Sequence, residues 1–183
     1  MTIVGMAGSL RKSSFNSALL RAATELVGPD TKLEIASIRE IPLYDGDVEE
    51  ATGVPTAVQQ LKDRVAAADG VLLVSPEYNN SIPGVFKNVI DWMSRPPKDI
   101  QRVFANRPVA VIGATPGPNG TILAQTAWLP VLRTLQTRPW FGGRLLVSRA
   151  EKVFNANGEL IDGTVREQLK NFLAGFEGFI GKK

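Results

Sequence analysis

The sequence predicts an open α/β fold: a five-stranded parallel sheet of order 2-1-3-4-5, covered by helices on both faces to give a three-layer sandwich. Three observations carry that expectation. Short apolar runs recur at Ile3-Val4-Gly5-Met6-Ala7, Gly70-Val71-Leu72-Leu73-Val74-Ser75 and Pro108 to Ala114. Runs of that length without polar alternation belong to strands covered on both faces. Stretches of helical period alternate with them, which is how parallel βαβ units are built. The loops after the first, third and fourth strands are each rich in donors, Gly or Pro, as fits a parallel sheet that offers its carboxyl edge to a ligand where strand order reverses.

Taken in order, the first strand leads through Gly8 to Asn16 into a helix over Ser17 to Val27, which the breaker cluster Gly28-Pro29-Asp30 stops. Lys32 to Ser37 is the second strand, with Leu33 and Ile35 on one face, and Ile41 to Asp47 has neither period and reads as an ordered surface loop. Pro55 suits a first turn, and Val58, Leu61, Val65 and Ala68 follow at helical spacing. The third strand is Gly70 to Ser75, and a helix from Val85 to Ser94 ends at Pro96-Pro97. After the fourth strand come a helix over Thr121 to Leu135 and a last strand over Arg144 to Ser148. In the tail, Asn157-Gly158 marks a turn between two short extended pieces within Val153 to Ile161. A closing helix from Val165 to Ile180 carries the apolar stripe Leu169, Phe172, Leu173 and Phe176.

A chain of 183 residues, 44% hydrophobic, suffices for one substantial core and predicts a single domain over 1–183. Neither cysteine nor histidine occurs. That removes thiol nucleophiles, thiolate or imidazole metal sites and the usual neutral-pH general base, so any chemistry belongs to a bound cofactor. The net charge of +3 comes from scattered Lys and Arg, which fits small anions rather than nucleic acid. No leader is legible and no apolar run approaches the ~20 residues of a membrane span, so the expectation is a cytoplasmic protein without membrane insertion.

The first loop, Gly8-Ser9-Leu10-Arg11-Lys12-Ser13-Ser14-Phe15-Asn16, packs hydroxyls, a guanidinium and an amide between a strand and a helix start, where free amides and the helix dipole favour an anion. Ser14 or Asn16 also suits a plain helix cap with Arg11 a solvated charge, and the two readings are compatible. Neither the dinucleotide Gly-x-Gly-x-x-Gly pattern nor a Walker loop is present, and a single monophosphate fits the side chains better. The second loop, Pro76-Glu77-Tyr78-Asn79-Asn80-Ser81-Ile82-Pro83-Gly84, combines a rigid start, an aromatic ring and amides suited to the edge of a flat heteroaromatic ligand. Its alternative is an ordinary proline-stabilised turn, with Glu77 orienting backbone or pairing with an Arg rather than acting as an acid. The third loop, Thr115-Pro116-Gly117-Pro118-Asn119-Gly120, is the least specific; Gly117 leaves room for close approach and Thr115 has a hydroxyl to donate.

The first two loops, with Ser81-Ile82-Pro83-Gly84-Val85-Phe86-Lys87-Asn88-Val89-Ile90-Asp91-Trp92, resemble the NADPH-dependent FMN reductase family, in the branch of quinone, chromate and azo-dye reductases with a flavodoxin-like fold. The resemblance implies FMN held by Ser9, Arg11, Ser14 and Asn16 at the phosphate. It places Pro76, Glu77, Tyr78, Asn79, Asn80, Ser81, Thr115 and Gly117 along the isoalloxazine. It further implies a ping-pong oxidoreductase in which NADPH or NADH gives hydride to flavin N5 and a quinone, flavin, chromate or azo compound takes the electrons, with no catalytic side chain and no metal. Relatives often carry Gly-Gly followed closely by Arg in the third loop, where this chain has Asn119-Gly120-Thr121-Ile122. The departure bears on substrate preference and subunit contacts. The resemblance also implies a homodimer or homotetramer, with Trp92 and Phe104 as contact residues or, alternatively, as parts of the monomer core. The competing function is an FMN-binding electron carrier or regulatory module that does not oxidise NAD(P)H. Carriers of that kind are acidic around the flavin, and this chain is basic.

Overall fold

In chain order the elements are β1 (Thr2–Ala7), α1 (Phe15–Leu26), β2 (Lys32–Ala36), α2 (Gly46–Thr52), α3 (Thr56–Ala67), β3 (Gly70–Val74), α4 (Gly84–Met93), α5 (Asp99–Val103), β4 (Pro108–Ala114), α6 (Ile122–Thr134), β5 (Arg138–Pro139), β6 (Leu146–Val147), α7 (Ala150–Val153) and α8 (Gly163–Gly181). The computed structural model describes residues 1–182; Lys183, the last position of the expected 1–183 unit, lies outside the described residues. The sheet runs β2-β1-β3-β4-β5 with all pairs parallel, as predicted. No helix among the described residues is long and apolar enough to cross a membrane.

Alternation along the strands divides the core between the two faces. Ile3, Leu72, Val74 and Ile112 pack with Leu19 and Leu20 of α1 and with Leu169, Phe172, Leu173 and Phe176 of α8. Val4, Met6, Val71 and Leu73 pack on the other side with Val58, Leu61 and Val65 of α3, Phe86 and Trp92 of α4 and Trp128 of α6. Both faces of β3 are therefore buried, which explains its unbroken apolar run. Leu33 packs on the α1 side, but Ile35 remains 45% exposed in a groove between α1 and the end of β2.

Two expectations need correction, and one open alternative is decided. The fifth strand position is split. Leu146–Val147 pairs only with Gly113 and Ala114, and Arg138–Pro139 takes the other half of the β4 edge by pairing with Pro108 and Val109. Between them the chain leaves the sheet so that Trp140 can pack edge-on against Phe172 at 4.8 Å. The stretch Ile41 to Asp47 is not all loop, because Asp45 accepts from the Asp47 amide (2.9 Å) and starts α2. That helix has no buried residue and hence no apolar period to read. Of the two alternatives for Trp92 and Phe104, the structure takes the second: both are buried in the monomer core. Trp92 Nε1 also donates to the Pro42 carbonyl (2.9 Å), fixing the segment ahead of α2. Finally, α5 and α7 are short helices without a sequence signature. The tail turn is as read: Phe154 bridges Leu160, and Gly158 sits at φ 75°.

Candidate functional site

Three loops meet where the ladders of β1, β3 and β4 end. The Gly8 amide donates to the Val74 carbonyl (2.9 Å) and the Ser75 amide to the Ile112 carbonyl (2.8 Å), so the first and second loops leave the sheet already in register. Gly8 has to be glycine: a Cβ there would stand 2.2 Å from Cδ1 of Phe86, whose ring packs edge-on against Trp128.

The first loop buries two of its three serines, Ser9 and Ser14, and leaves Ser13 exposed. Ser9 is 8% exposed and its Oγ accepts from the Arg11 amide (3.3 Å). Ser14, 6% exposed, is the N-cap of α1, accepting from the Ser17 amide (3.2 Å). The Arg11 guanidinium is exposed and, among the described residues, enters no ion pair; the donor set therefore suits a phosphate monoester. Asn16 differs from its sequence-level reading. Its side chain, 3% exposed, donates through Nδ2 to the Ala114 carbonyl (2.8 Å) and accepts through Oδ1 from the Ala114 amide (2.9 Å). The carboxamide joins the first loop to the end of β4, and what Asn16 has to offer an anion is its backbone amide in the first turn of α1.

The second loop is built the opposite way. Pro76 is buried, and its carbonyl accepts from Ser75 Oγ (3.0 Å). From Tyr78 to Ser81 the chain makes a two-residue hairpin. The Tyr78 amide donates to the Ser81 carbonyl (3.1 Å) and the Ser81 amide to the Tyr78 carbonyl (3.0 Å), with Asn79 and Asn80 at φ 50° and 61°. Two consecutive left-handed residues make a type I′ turn, where asparagine is among the least costly side chains. All four residues are exposed, Tyr78 by 46%. Glu77 orients backbone, one of the two uses weighed for it: its Oε2 accepts from the Leu123 amide (2.8 Å) and the Ala124 amide (2.9 Å) at the start of α6.

In the third loop, Thr115 Oγ1 accepts from the Gly117 amide (3.3 Å), and its backbone joins the neighbouring segment by accepting from Ala150 and donating to Val147. A Cβ on Gly117 would meet nothing closer than Thr115 Oγ1 at 3.7 Å, so this glycine keeps space open above the loop and solves no packing problem. The structure thus brings all twelve sequence-predicted residues, from Ser9 to Gly117, to one sheet edge. It adds three that the sequence reading missed. Leu10 and Leu123 are exposed apolar side chains on the same rim, and the amide of Arg149 donates to the Gly117 carbonyl (3.2 Å). A position just past a strand's carboxyl end was the available signal for Arg149. The apolar cavity of about 250 Å³ bounded by Val109, Leu132 and Trp140 lies elsewhere, beside the split fifth position.

Comparison with known proteins is consistent across sequence and structure. The family model described as NADPH-dependent FMN reductase matches residues 1–152. The chain is 42% identical to an NAD(P)H-dependent FMN reductase of Pseudomonas aeruginosa over 171 residues, 93% of this chain and 90% of the relative. It is 35% identical to a quinone reductase of Escherichia coli K12 over 185 aligned positions, 98% of this chain and 95% of that protein. The structure of the flavoenzyme NAD(P)H:(acceptor) oxidoreductase FerB of Paracoccus denitrificans superposes with a TM-score of 0.87 at 33% identity, covering 99% of this chain and 97% of that one.

Proposed function

We propose, on the premise that the chain belongs to the NADPH-dependent FMN reductase family, that the three loops are the FMN site of an NAD(P)H oxidoreductase that reduces quinones. The observation that carries the assignment is the pairing, on one sheet edge, of a buried hydroxyl cradle at Ser9 and Ser14 with an exposed asparagine hairpin at Asn79 and Asn80. When bound, FMN supplies the acceptance of hydride from NADPH or NADH and the onward delivery of electrons.

Everything else is the work of this chain. Ser9, Arg11 and Ser14 hold the phosphate, helped by the first amides of α1, including that of Asn16. The guanidinium supplies the fixed charge and the hydroxyls set direction. Pro76 to Ser81 presents backbone groups to the edge of the flat ring, and Thr115 and Gly117 border it from the third loop. Tyr78, Leu10 and Leu123 give the mouth apolar walls suited to a neutral planar acceptor, and chromate, azo compounds or free flavin are further acceptor classes to test. We read residues 1–183 as a single cytoplasmic domain that works as a homodimer or homotetramer. Leu43, Val48 and Leu129 are apolar side chains exposed in the monomer and available to such an assembly.

Anaerobic mixing of the pure FMN-loaded protein with NADPH tests the reading. Flavin absorbance should bleach, and a quinone added afterwards should restore it. Colour that persists after stoichiometric NADPH and NADH would leave only a flavin carrier or a regulatory module.

A further inference from the structure

We propose that Glu77 is a positioning residue that sets the redox poise of the flavin site: its carboxylate straps the ring loop to the start of α6 and cancels the positive end of that helix. The proposal rests on the FMN reading above. Helix α6, Ile122–Thr134, has no acidic residue in its first turn, and its N-cap Thr121 makes no side-chain capping bond. The Thr121 hydroxyl faces inward and accepts instead from Gln125 Nε2 (3.1 Å). The capping oxygen comes from another loop altogether, 46 and 47 residues away in sequence, where Glu77 Oε2 takes both the Leu123 and Ala124 amides.

Two consequences follow from the chemistry of that contact. The oxygen supplies geometry, because two charge-assisted bonds hold the Pro76 to Ser81 loop against the third loop through α6. The charge supplies electrostatics. A helix N-terminus carries about half a positive charge, which would favour the additional negative charge that flavin gains on reduction. A carboxylate seated on those amides removes the preference and holds the cofactor's potential down, keeping reduced flavin a willing donor to the acceptor. Geometry and charge are separable. Glutamine presents a neutral carbonyl oxygen to the same two amides, whereas alanine presents nothing.

The test uses full-length protein with Glu77→Gln, Glu77→Ala and the double variant Glu77→Gln with Leu123→Asp. In the apoprotein, hydrogen exchange at the amides of residues 123 and 124 should stay protected in Glu77→Gln and lose protection in Glu77→Ala. In the FMN-loaded protein, spectroelectrochemistry of Glu77→Gln should show affinity for reduced over oxidised FMN raised about tenfold, which for a two-electron couple is a midpoint ~30 mV more positive. The double variant, which returns a carboxylate to the second residue of the helix, should move the midpoint back toward wild type. An unchanged or lower midpoint in Glu77→Gln overturns the electrostatic role, and unprotected amides in Glu77→Gln overturn the geometric one. Wild-type protein that binds no FMN defeats the flavin reading itself, and the exchange experiment still reports the strap.

Discussion

The two ends of the site are built on opposite rules. At the proposed phosphate end Arg11 is exposed, but Ser9, Ser14 and Asn16 are buried and bond to backbone: Ser14 caps α1, and the Asn16 carboxamide holds both the amide and the carbonyl of Ala114. At the proposed ring end, a hairpin stands in solvent with two left-handed asparagines at its tip. The contrast matches a division of labour between a resident group and transient ones. A cofactor that remains bound through many turnovers needs a closed anchor, whereas substrates that must enter and leave over the same surface need an open one.

Several measurements sharpen or break that contrast. The largest effect is expected for Asn16→Ala, which strands both backbone groups of Ala114 in a buried position. It should lower the unfolding free energy by about 3 kcal/mol in urea titrations, and a loss under about 1 kcal/mol would show that this pair does not close the phosphate end. Next, Arg11→Ala combined with Ser14→Ala should weaken FMN binding by roughly 2 kcal/mol, about 30-fold by calorimetric titration. Unaltered affinity would place the phosphate elsewhere. At the open end, Asn80→Val forces a β-branched residue into φ near 61° and should cost about 1–2 kcal/mol, read as a drop in melting temperature, while Asn80→Gly should keep the hairpin.

The smallest effect concerns pH and lies outside both ends. The Arg95 guanidinium holds the Glu49 carboxyl below its usual range, Arg102 does the same for Asp63, and Lys62 for Asp99. Depressed folded-state values mean that these pairs stabilise above the ordinary carboxylate pKa of about 4 and lose that contribution as pH falls through the lower folded values. Amide protection, taken relative to the intrinsic exchange rate at each pH, should therefore fall in α2 and α5 before it falls in β1 or β3. Simultaneous loosening of all four would mean that the pairs bear on the whole fold.

The sheet was legible because its inner strands are covered on both faces, and such runs as Val71 to Val74 admit few other readings. What escaped prediction lacked a pattern to carry it. Helix α2 buries nothing, so its residues follow solvent and a cap at Asp45, while β5 and β6 have two residues each, too few to show any period. The site behaved similarly. Residue types in the first two loops indicated a phosphate cradle and a ring edge, and capping by Ser14 was foreseen. The destination of the Asn16 carboxamide was not, since Ala114 lies 98 residues away and only the β1-β3-β4 order brings it alongside. Orientation of backbone by Glu77 was legible as a kind of contact, but its partners on α6 were not.

The divided fifth position also bears on how copies of this chain can meet. A long flat outer strand is a template on which another chain can pair its own backbone. Here one margin of the sheet is closed in two short pieces, β5 and β6, with a ring-bearing excursion between them. The other margin, β2, carries Lys32 and Glu34, joined to each other by an ion pair at 2.6 Å. Neither margin invites continuation of the sheet from molecule to molecule, which leaves helix surfaces and loop rims as the places where the proposed assembly forms.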